Sequence, residues 1–186
     1  MPVDPTAVLR ADHRQVERLL QQIADSEPVA RPPLVEELTT ALEAHMELEE
    51  RLLYPVVADE LGREEEMEGE SEHELARIGL AKVVELSPDG PGFMAALDML
   101  KAGISHHVED EETEMFPELN EQLDAARLEQ LDAELTAARE RLGLPTREDL
   151  ADGTKAELYE KAKEADVPGR SSMTRDELAE AVPPGD

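Results

Sequence analysis

Hydrophobic positions recur every three or four residues along most of the chain, which is the spacing of amphipathic helices. The stripe is clear between residues 4 and 25, where its members are Val8, Leu9, Val16, Leu19, Leu20 and Ile23. Asp4 and Pro5 stand at its beginning and are typical of a helix start. No segment has the strict alternation of a strand between turn residues. The pattern therefore predicts an all-α fold.

Breaker residues divide the following sequence into further helices. The predicted helices after the first cover residues 32–61, 63–86, 93–119 and 124–142. Pro55 and Pro117 lie inside two of them, and we expect each proline to kink or end the regular helix. Because the first four helices are long and joined by short breaks, they predict an antiparallel up-and-down four-helix bundle, followed by a fifth helix.

The C-terminal part has a different organisation. The segment LGLPT at residues 142–146 is interpreted as a linker, which predicts a bundle domain at 1–143 and an appendage at 144–186. Capping boxes beginning at Thr154 and Thr174 predict short helices at residues 155–166 and 175–182. This helix-loop-helix tail has too little core to be stable easily by itself.

Charge and composition narrow the classes of function. The chain of 186 residues carries 46 acids against 18 bases, a net charge of −28, so most of its surface repels nucleic acid phosphate and anionic membranes. It has no cysteine, which excludes disulfides, zinc–thiolate sites and iron–sulfur clusters. It has no signal-peptide pattern and no apolar run of the roughly 20 residues that span a bilayer. We expect a cytoplasmic protein with no membrane partner.

One unusual motif occurs twice. HMELEERLLYP covers residues 45–55 and HVEDEETEMFP covers residues 107–117. Both have His at the first position, Glu at the fifth and sixth, and an aromatic residue followed by Pro at the tenth and eleventh. Residues four apart share one helix face. The pairs on one face are His45 with Glu49 and His107 with Glu111.

Histidine also occurs once in each intervening helix, at His13 and His73. Every helix of the predicted bundle thus offers an imidazole to the interior, which is what a dinuclear metal site between facing helices requires. Imidazole with carboxylate suits iron, manganese or zinc. Six residues supply fewer than the roughly twelve positions of two six-coordinate ions, so solvent or a small ligand must complete the set. The candidate metal ligands are His13, His45, Glu49, His73, His107 and Glu111.

The repeat also distinguishes between the adjacent residues His106 and His107. His45 stands ten residues before Pro55, and it is His107 that stands ten residues before Pro117. His106 lies about 100° from that face and is expected at the rim of the site, beside a ligand, or in solvent.

Three other features lie beside the candidate ligands or outside the repeat. Tyr54 and Phe116 occupy the same slot of the repeat, so Tyr54 is either a core residue or an additional ligand or hydrogen-bond donor. Glu50 and Glu112 are rotated off the ligand face and are expected to be solvated or to support a ligand. The acidic run at residues 64–72 is interpreted as a solvated helix face.

These motifs resemble those of the hemerythrin-like, HHE cation-binding domains over residues 4–123. The resemblance implies a four-helix bundle with two iron ions bridged by an oxo or hydroxo group. It would make Glu49 and Glu111 the bridging ligands and the histidines the terminal ones, namely His13, His45, His73 and His107.

Some positions depart from the oxygen-carrying members of that family. Arg77 stands where those members have an additional His, and Glu112 stands where they bridge with Asp. A site with fewer nitrogen ligands favours reactive chemistry over reversible oxygen storage. The expected ligand is O2, hydrogen peroxide or NO, with catalase-like peroxide turnover as one form of the function. A non-catalytic oxygen, iron or redox sensor or carrier is the alternative.

The tail is similar to the small SAP-like module at the N-terminus of transcription termination factor Rho, a family that often contacts nucleic acid. Here residues 151–186 carry nine acids and five bases, so nucleic-acid binding through residues 151–182 is less favoured than protein docking or a structural role. A metal-free helical adaptor that docks through this tail is the third hypothesis. The sequence gives no indication of the oligomeric state.

Overall fold

The structure, a computed structural model, describes residues 3–146, 155–164, 170 and 173–174. These residues form helices and connecting turns, with no strand among them, which confirms the predicted all-α class. The chain forms two compact units, Met1–Ala138 and Arg139–Asp186. The predicted division after residue 143 stays a prediction.

Four helical segments build the bundle, and two of them are interrupted by a π-helix. The elements of the first unit, in chain order, are α1 (Ala7–Asp25), α2 (Arg31–Leu48), π1 (Glu49–Leu53), α3 (Tyr54–Glu60), α4 (Arg63–Glu85), α5 (Phe93–Asp110), π2 (Glu111–Met115), α6 (Phe116–Gln122) and the beginning of α7 (Ala125–Leu142). α1 packs against α2 and α5, and α4 packs against the same two helices. This arrangement agrees with the predicted hemerythrin-like bundle.

Several predicted boundaries need correction. The helices predicted at 32–61 and 93–119 are not continuous α-helices, because each contains a π-helix before its proline. The first helix begins at Ala7 and not at the predicted Asp4. The Asp4 carboxylate accepts hydrogen bonds from the backbone N–H of Thr6 at 3.0 Å and its hydroxyl at 2.7 Å, so it forms a turn before the helix.

Besides the end of α7, the second unit contains one helix among the described residues. The helix predicted at 155–166 is observed as α8 (Lys155–Glu164). Leu158 and Ala162 are buried in a small cluster with Tyr159 and Met173. The helix predicted at 175–182 lies outside the described residues. None of the described helices is long and apolar enough to cross a membrane.

An apolar core fills one end of the bundle and ends at the layer that holds the histidines. Aliphatic side chains dominate it, and Phe93 is its aromatic member. Burial of each large apolar side chain contributes about 1.5–3 kcal/mol, which offsets the cost of placing polar groups in the neighbouring layer. The core residues nearest to that layer are Val16, Leu42, Met46, Ile104 and Val108.

Candidate metal centre

The six predicted ligands meet inside the bundle. Their donor atoms form two groups that share His107, and within each group all the atoms lie within 4.8 Å of one another. The first group consists of His13, His45, His107 and Glu111. The second consists of Glu49, His73 and His107. All six side chains are buried. The structure therefore brings together every residue that the sequence named as a metal ligand.

The Nε2 atoms of the four imidazoles face the two central carboxylates. Nε2 of His45 and Nε2 of His73 each lie 3.1 Å from Oε2 of Glu49. The corresponding distances to Oε2 of Glu111 are 3.2 Å from His13 and 3.5 Å from His107. Each carboxylate thus lies between imidazoles from different helices, which is the arrangement that lets one carboxylate contact two ions.

A π-helix begins at each of these carboxylate residues. The N–H of Tyr54 donates to the carbonyl of Glu49, and the N–H of Phe116 donates to the carbonyl of Glu111. Both bonds span five residues in place of the usual four. The two repeats therefore share a backbone irregularity as well as a sequence.

Proline explains where the π-helices end. Pro55 and Pro117 lack an N–H, and a proline ring clashes with the carbonyl four residues earlier in a regular α-helix. The wider turn relieves that clash and allows the helix to continue through α3 and α6. The sequence signal was present, because both repeats end in proline, but it predicted a kink and not an inserted residue.

The inserted residue also redirects Tyr54. Tyr54 follows His45 by nine residues, which in a regular α-helix places the two side chains about 180° apart. One extra residue within the turn reduces that angle to about 80°. Tyr54 therefore reaches the centre, where regular helical spacing would point it away.

The outer nitrogen of each imidazole faces a second carboxylate. The distances from Nδ1 to the nearest carboxylate oxygen are 2.8 Å for His13 with Glu112, 2.9 Å for His73 with Glu50, 2.9 Å for His107 with Glu72, and 3.8 Å for His45 with Asp12. An ionised carboxylate only accepts hydrogen bonds, so in the three close pairs Nδ1 carries the hydrogen and Nε2 keeps its lone pair. Such pairing orients metal-binding histidines and raises their basicity.

Two arginines hold the outer carboxylates in turn. Arg14 donates to Glu112 at 2.6 Å, and Arg77 donates to Glu50 at 2.7 Å. Of the two roles that the sequence left open for Glu50 and Glu112, the structure places them as supports of imidazoles. Each of these two carboxylates therefore accepts from one imidazole and one guanidinium, and such charge-assisted hydrogen bonds fix its position.

The inward atoms lack ordinary partners. Within the described part of the chain, no hydrogen bond reaches Nε2 of His13, His45 or His107, either oxygen of Glu49, or Oε2 of Glu111. A buried polar atom without a partner costs about 1–3 kcal/mol, so six in one layer need a compensating ligand. Nitrogen and oxygen donors without sulfur fit iron, manganese or zinc, and cations held in this layer would give these atoms the partners they lack.

Burial and mutual repulsion perturb the central carboxylates. Burial raises the pKa of Glu111 well above its usual value, and the charge of Glu49 beside it adds to that effect. Burial would also raise the pKa of Glu49, but His45 and the other imidazoles outweigh it and hold that pKa well below its usual value. A cation between the two would favour the ionised form of both.

Comparison with known proteins agrees with this geometry. The model of the hemerythrin HHE cation-binding domain matches residues 4–119. The chain belongs to this family. It is also 28% identical over 136 residues to a protein named DNA nickase from Nostoc sp. (strain PCC 7120 / SAG 25.82 / UTEX 2576), a match that covers 73% of the chain. The chain spans about 39% of the length of that relative. No solved structure matches the chain.

As a member of the HHE family, the protein is a cation-binding, hemerythrin-like domain with an additional tail. Arg77 stands where the resemblance implied a further His in oxygen-carrying members. Its guanidinium contacts Glu50 and not the centre.

Tyr54 makes the HHE centre asymmetric. Its hydroxyl lies 3.1 Å from Nε2 of His73 and donates to Oε1 of Glu111 at 3.2 Å. Phe116, in the equivalent slot, stacks on His13 with ring centroids 5.9 Å apart and planes at 8°. The phenol therefore enters the centre on one side, and a hydrocarbon ring covers the other.

Two further sequence interpretations concern residues at the rim. His106 is exposed, with Nδ1 3.4 Å from Asp110 and Nε2 3.8 Å from Glu72, which agrees with its expected place outside the buried cluster. The acidic run at 64–72 is only partly a solvated face, because Glu72 holds His107 and Glu65 borders a cleft with it. Helical spacing identified that face as polar but could not show which neighbour it meets.

A small cavity of about 10 Å³ adjoins the imidazoles on the side of the apolar core. This volume is close to the minimum that holds a single water molecule. Glu72 is the one carboxylate residue among the described residues that line it, and the others are imidazoles, Gly103 and apolar side chains. The cavity therefore has room for about one water-sized group beside the centre.

Proposed function

We propose that this protein holds two iron ions in an oxo- or hydroxo-bridged pair and uses them to bind or react with a small ligand. The supporting observation is the set of buried inward-facing nitrogen and oxygen atoms without hydrogen-bond partners, beside a cavity that holds about one water-sized group. His13, His45, His73 and His107 would bind single ions, and Glu49 and Glu111 would bridge them. Iron held in this way supplies Lewis acidity and stored electrons.

The cavity supports a diatomic or peroxide ligand. Its volume of about 10 Å³ holds about one water-sized group, such as one end of a ligand bound at the centre. Val16, Leu42, Met46 and Ile104 contribute apolar walls, which favour a small neutral ligand such as O2, NO or hydrogen peroxide over an ion. The chain's own contribution is to fix the imidazoles through their outer carboxylates and to keep the space dry and small.

Tyr54 supports the reactive form of this function over simple carriage. Its hydroxyl is already in contact with both an imidazole and a central carboxylate. It is placed to act in one of two ways, as an additional ligand or as a hydrogen-bond donor to an oxygen-containing molecule. In catalase-like turnover such a donor would contact the bound peroxide, and a sensor or carrier of the same ligand is the alternative.

The name of the Nostoc relative does not support DNA cleavage by this chain. The chain spans about 39% of that protein, so the named activity belongs to a longer molecule. A net charge of −28 opposes binding to a phosphate backbone. Contact of the tail with nucleic acid or protein stays a separate hypothesis.

Iron analysis of the full chain tests the proposal. Apoprotein is incubated with ferrous iron without oxygen, freed of excess iron and exposed to air. We expect about two iron ions per chain and a visible absorption band of an oxo-bridged ferric pair. His107→Ala and Glu111→Ala should lose iron, whereas His106→Ala should keep it. An iron-free wild type, or loss with His106→Ala only, would contradict the proposal.

Oxygen release on addition of peroxide separates the two forms of the function. We expect the iron-loaded protein to release oxygen repeatedly, and the His107→Ala variant to be inactive. A single stoichiometric spectral change without turnover would favour a sensor or carrier and contradict the catalase-like form.

A further inference from the structure

A cleft of about 190 Å³ leads from the surface to the centre between α4 and the junction of α5 with π2. Six carboxylates line it, and none of the described residues along it is basic. Gly69 and Met115 complete its wall. The lining carboxylates are Glu65, Glu68, Glu72, Asp110, Glu111 and Glu114.

The outer acids of the cleft are not neutralised by neighbouring bases. Glu65, Glu68 and Glu114 make no ion pair within the described part of the chain, and Arg63 nearby pairs with Glu66 outside the cleft. Burial raises the pKa of Glu65, and the negative charges around it, that of Glu68 first, raise it further. A cleft with walls of one charge focuses the field and concentrates counter-ions inside it.

The inner end of the cleft is formed by Glu111, a candidate ligand of the centre. Glu111 is 1% exposed, lines the cleft and has no hydrogen-bond partner for Oε2. The same oxygen lies 3.2 Å from Nε2 of His13. A cation that reached the floor of the cleft would therefore contact a carboxylate that already belongs to the buried cluster.

The outer end of the cleft has a donor group of its own. Three potential ligand atoms lie within 4.8 Å of one another there, one each from Glu72, His106 and Asp110. Glu72 and Asp110 line the cleft, whereas His106 is exposed and faces both. Two carboxylates and one imidazole at the surface form a weak, open set of cation ligands.

We propose that this cleft is the path by which divalent cations reach the buried centre, with Glu72, His106 and Asp110 as the first binding point and Glu111 as the receiving ligand. The proposal rests on the proposed function of the six-residue cluster as an iron centre. The cargo is a hydrated divalent cation, here ferrous iron. Carboxylate oxygens along the wall would replace its water molecules in steps, which lowers the cost of dehydration.

The apolar side offers no comparable path. The cavity there has a volume of about 10 Å³ and borders Val16, Leu42 and Ile104. A hydrated cation does not fit that space, and apolar walls do not replace its water. The structure thus separates a polar route suited to the metal from an apolar space suited to a neutral ligand.

The rate of iron uptake tests the proposal. The cleft variant removes three charges of the cleft without changing a candidate ligand and carries Glu65→Gln, Glu68→Gln and Glu114→Gln. The control variant removes three exposed charges elsewhere and carries Glu27→Gln, Glu37→Gln and Glu129→Gln. Apoprotein of each is mixed with ferrous iron without oxygen, and free iron is trapped at set times with a chromogenic chelator.

We expect the cleft variant to load about 10-fold more slowly than the control variant, with the same final iron content. The difference should shrink at high salt, because salt screens the field of the exposed charges. His106→Ala should also slow loading while keeping the final iron content. Equal rates for the two triple variants, or a lower final iron content in the cleft variant, would overturn the proposal.

Failure of the cleft and failure of the iron centre give different results. If wild-type protein does not take up iron, the proposed function fails. If wild type takes up two ions per chain but the cleft variant loads as fast as the control, only the loading path fails. Circular dichroism of each apoprotein confirms that the variants compared are folded.

Discussion

Gly69 leaves the space that the ring of Tyr54 occupies. A Cβ built on Gly69 would lie 2.7 Å from both Cζ and the hydroxyl oxygen of Tyr54, closer than any ordinary contact. Gly69 is on α4, one helical turn before His73, whose Nε2 contacts the same hydroxyl. A glycine inside a long helix is unfavourable by about 1 kcal/mol, so this position gives up helix stability to admit the phenol.

Gly69→Ala is expected to destabilise the protein by about 1–3 kcal/mol through overpacking, despite the better helix propensity of alanine. Gly103→Ala on α5 is the matched control, because a Cβ there meets nothing within 4 Å. That variant should be more stable than wild type by about 0.5–1 kcal/mol. Urea unfolding of both apoproteins measures the difference. Equal stabilisation by the two substitutions would mean that Tyr54 does not fill the space at Gly69.

Tyr54→Phe is expected to keep two iron ions per chain, because the six candidate ligands are unchanged. Its visible spectrum and peroxide turnover should change, since the substitution removes the hydroxyl that contacts His73 and Glu111. Loss of a phenolate-to-iron absorption band would assign Tyr54 as a ligand, and slower turnover without that loss would assign it as a hydrogen-bond donor. Tyr159→Phe removes the other tyrosine and should change neither; an unchanged Tyr54→Phe protein would exclude both roles.

Glu112→Gln is expected to weaken iron binding by about 10–100-fold without abolishing it, because it removes the charge that orients His13 through Nδ1. Arg14 also loses its partner in this variant. Glu109→Gln is the control, because it removes the charge of an exposed side chain three residues before Glu112. This variant should bind iron like wild type. Competition with a chelator of known affinity measures both. An affinity of Glu112→Gln equal to that of the control would show that the pair is not needed to hold the imidazole.

Removal of the metal is expected to lower the melting temperature. At a free iron concentration 100 times the dissociation constant, binding to the folded state alone stabilises it by about 2.7 kcal/mol. Thermal unfolding without oxygen, with and without ferrous iron, measures the shift. Magnesium at the same concentration should give none, because it prefers an all-oxygen octahedral site. His107→Ala should show no iron-dependent shift, and a shift of wild-type size in that variant would place the stabilising ion elsewhere.

The two copies of the motif made much of the centre predictable. Their matched spacing paired His45 with Glu49 and His107 with Glu111 and preferred His107 to His106. In the structure these four residues meet in the buried cluster, and His106 lies outside it. This was accessible because helical periodicity fixes which residues share a face. The family resemblance added the bundle and its cation-binding role, and the match over residues 4–119 confirms that membership.

The sequence did not reveal how the outer layer is organised. Glu72 looked like part of a solvated acidic run, but it binds Nδ1 of His107 across the interface between α4 and α5. Such a contact depends on the rotation of two helices relative to each other, which a single helical pattern does not contain. The π-helices were missed for a related reason, because Pro55 and Pro117 permit either a kink or a wider turn and packing decides between them.

The difference between Tyr54 and Phe116 has a consequence for the electronic behaviour of the pair. The two halves of the centre repeat the same backbone, yet one half presents a phenol to its imidazole and the other presents a stacked hydrocarbon ring. If the centre holds the proposed pair of iron ions, these different surroundings would give the two ions unequal reduction potentials. An added electron would then favour one ion over the other, although the same eleven-residue pattern supplies both sides.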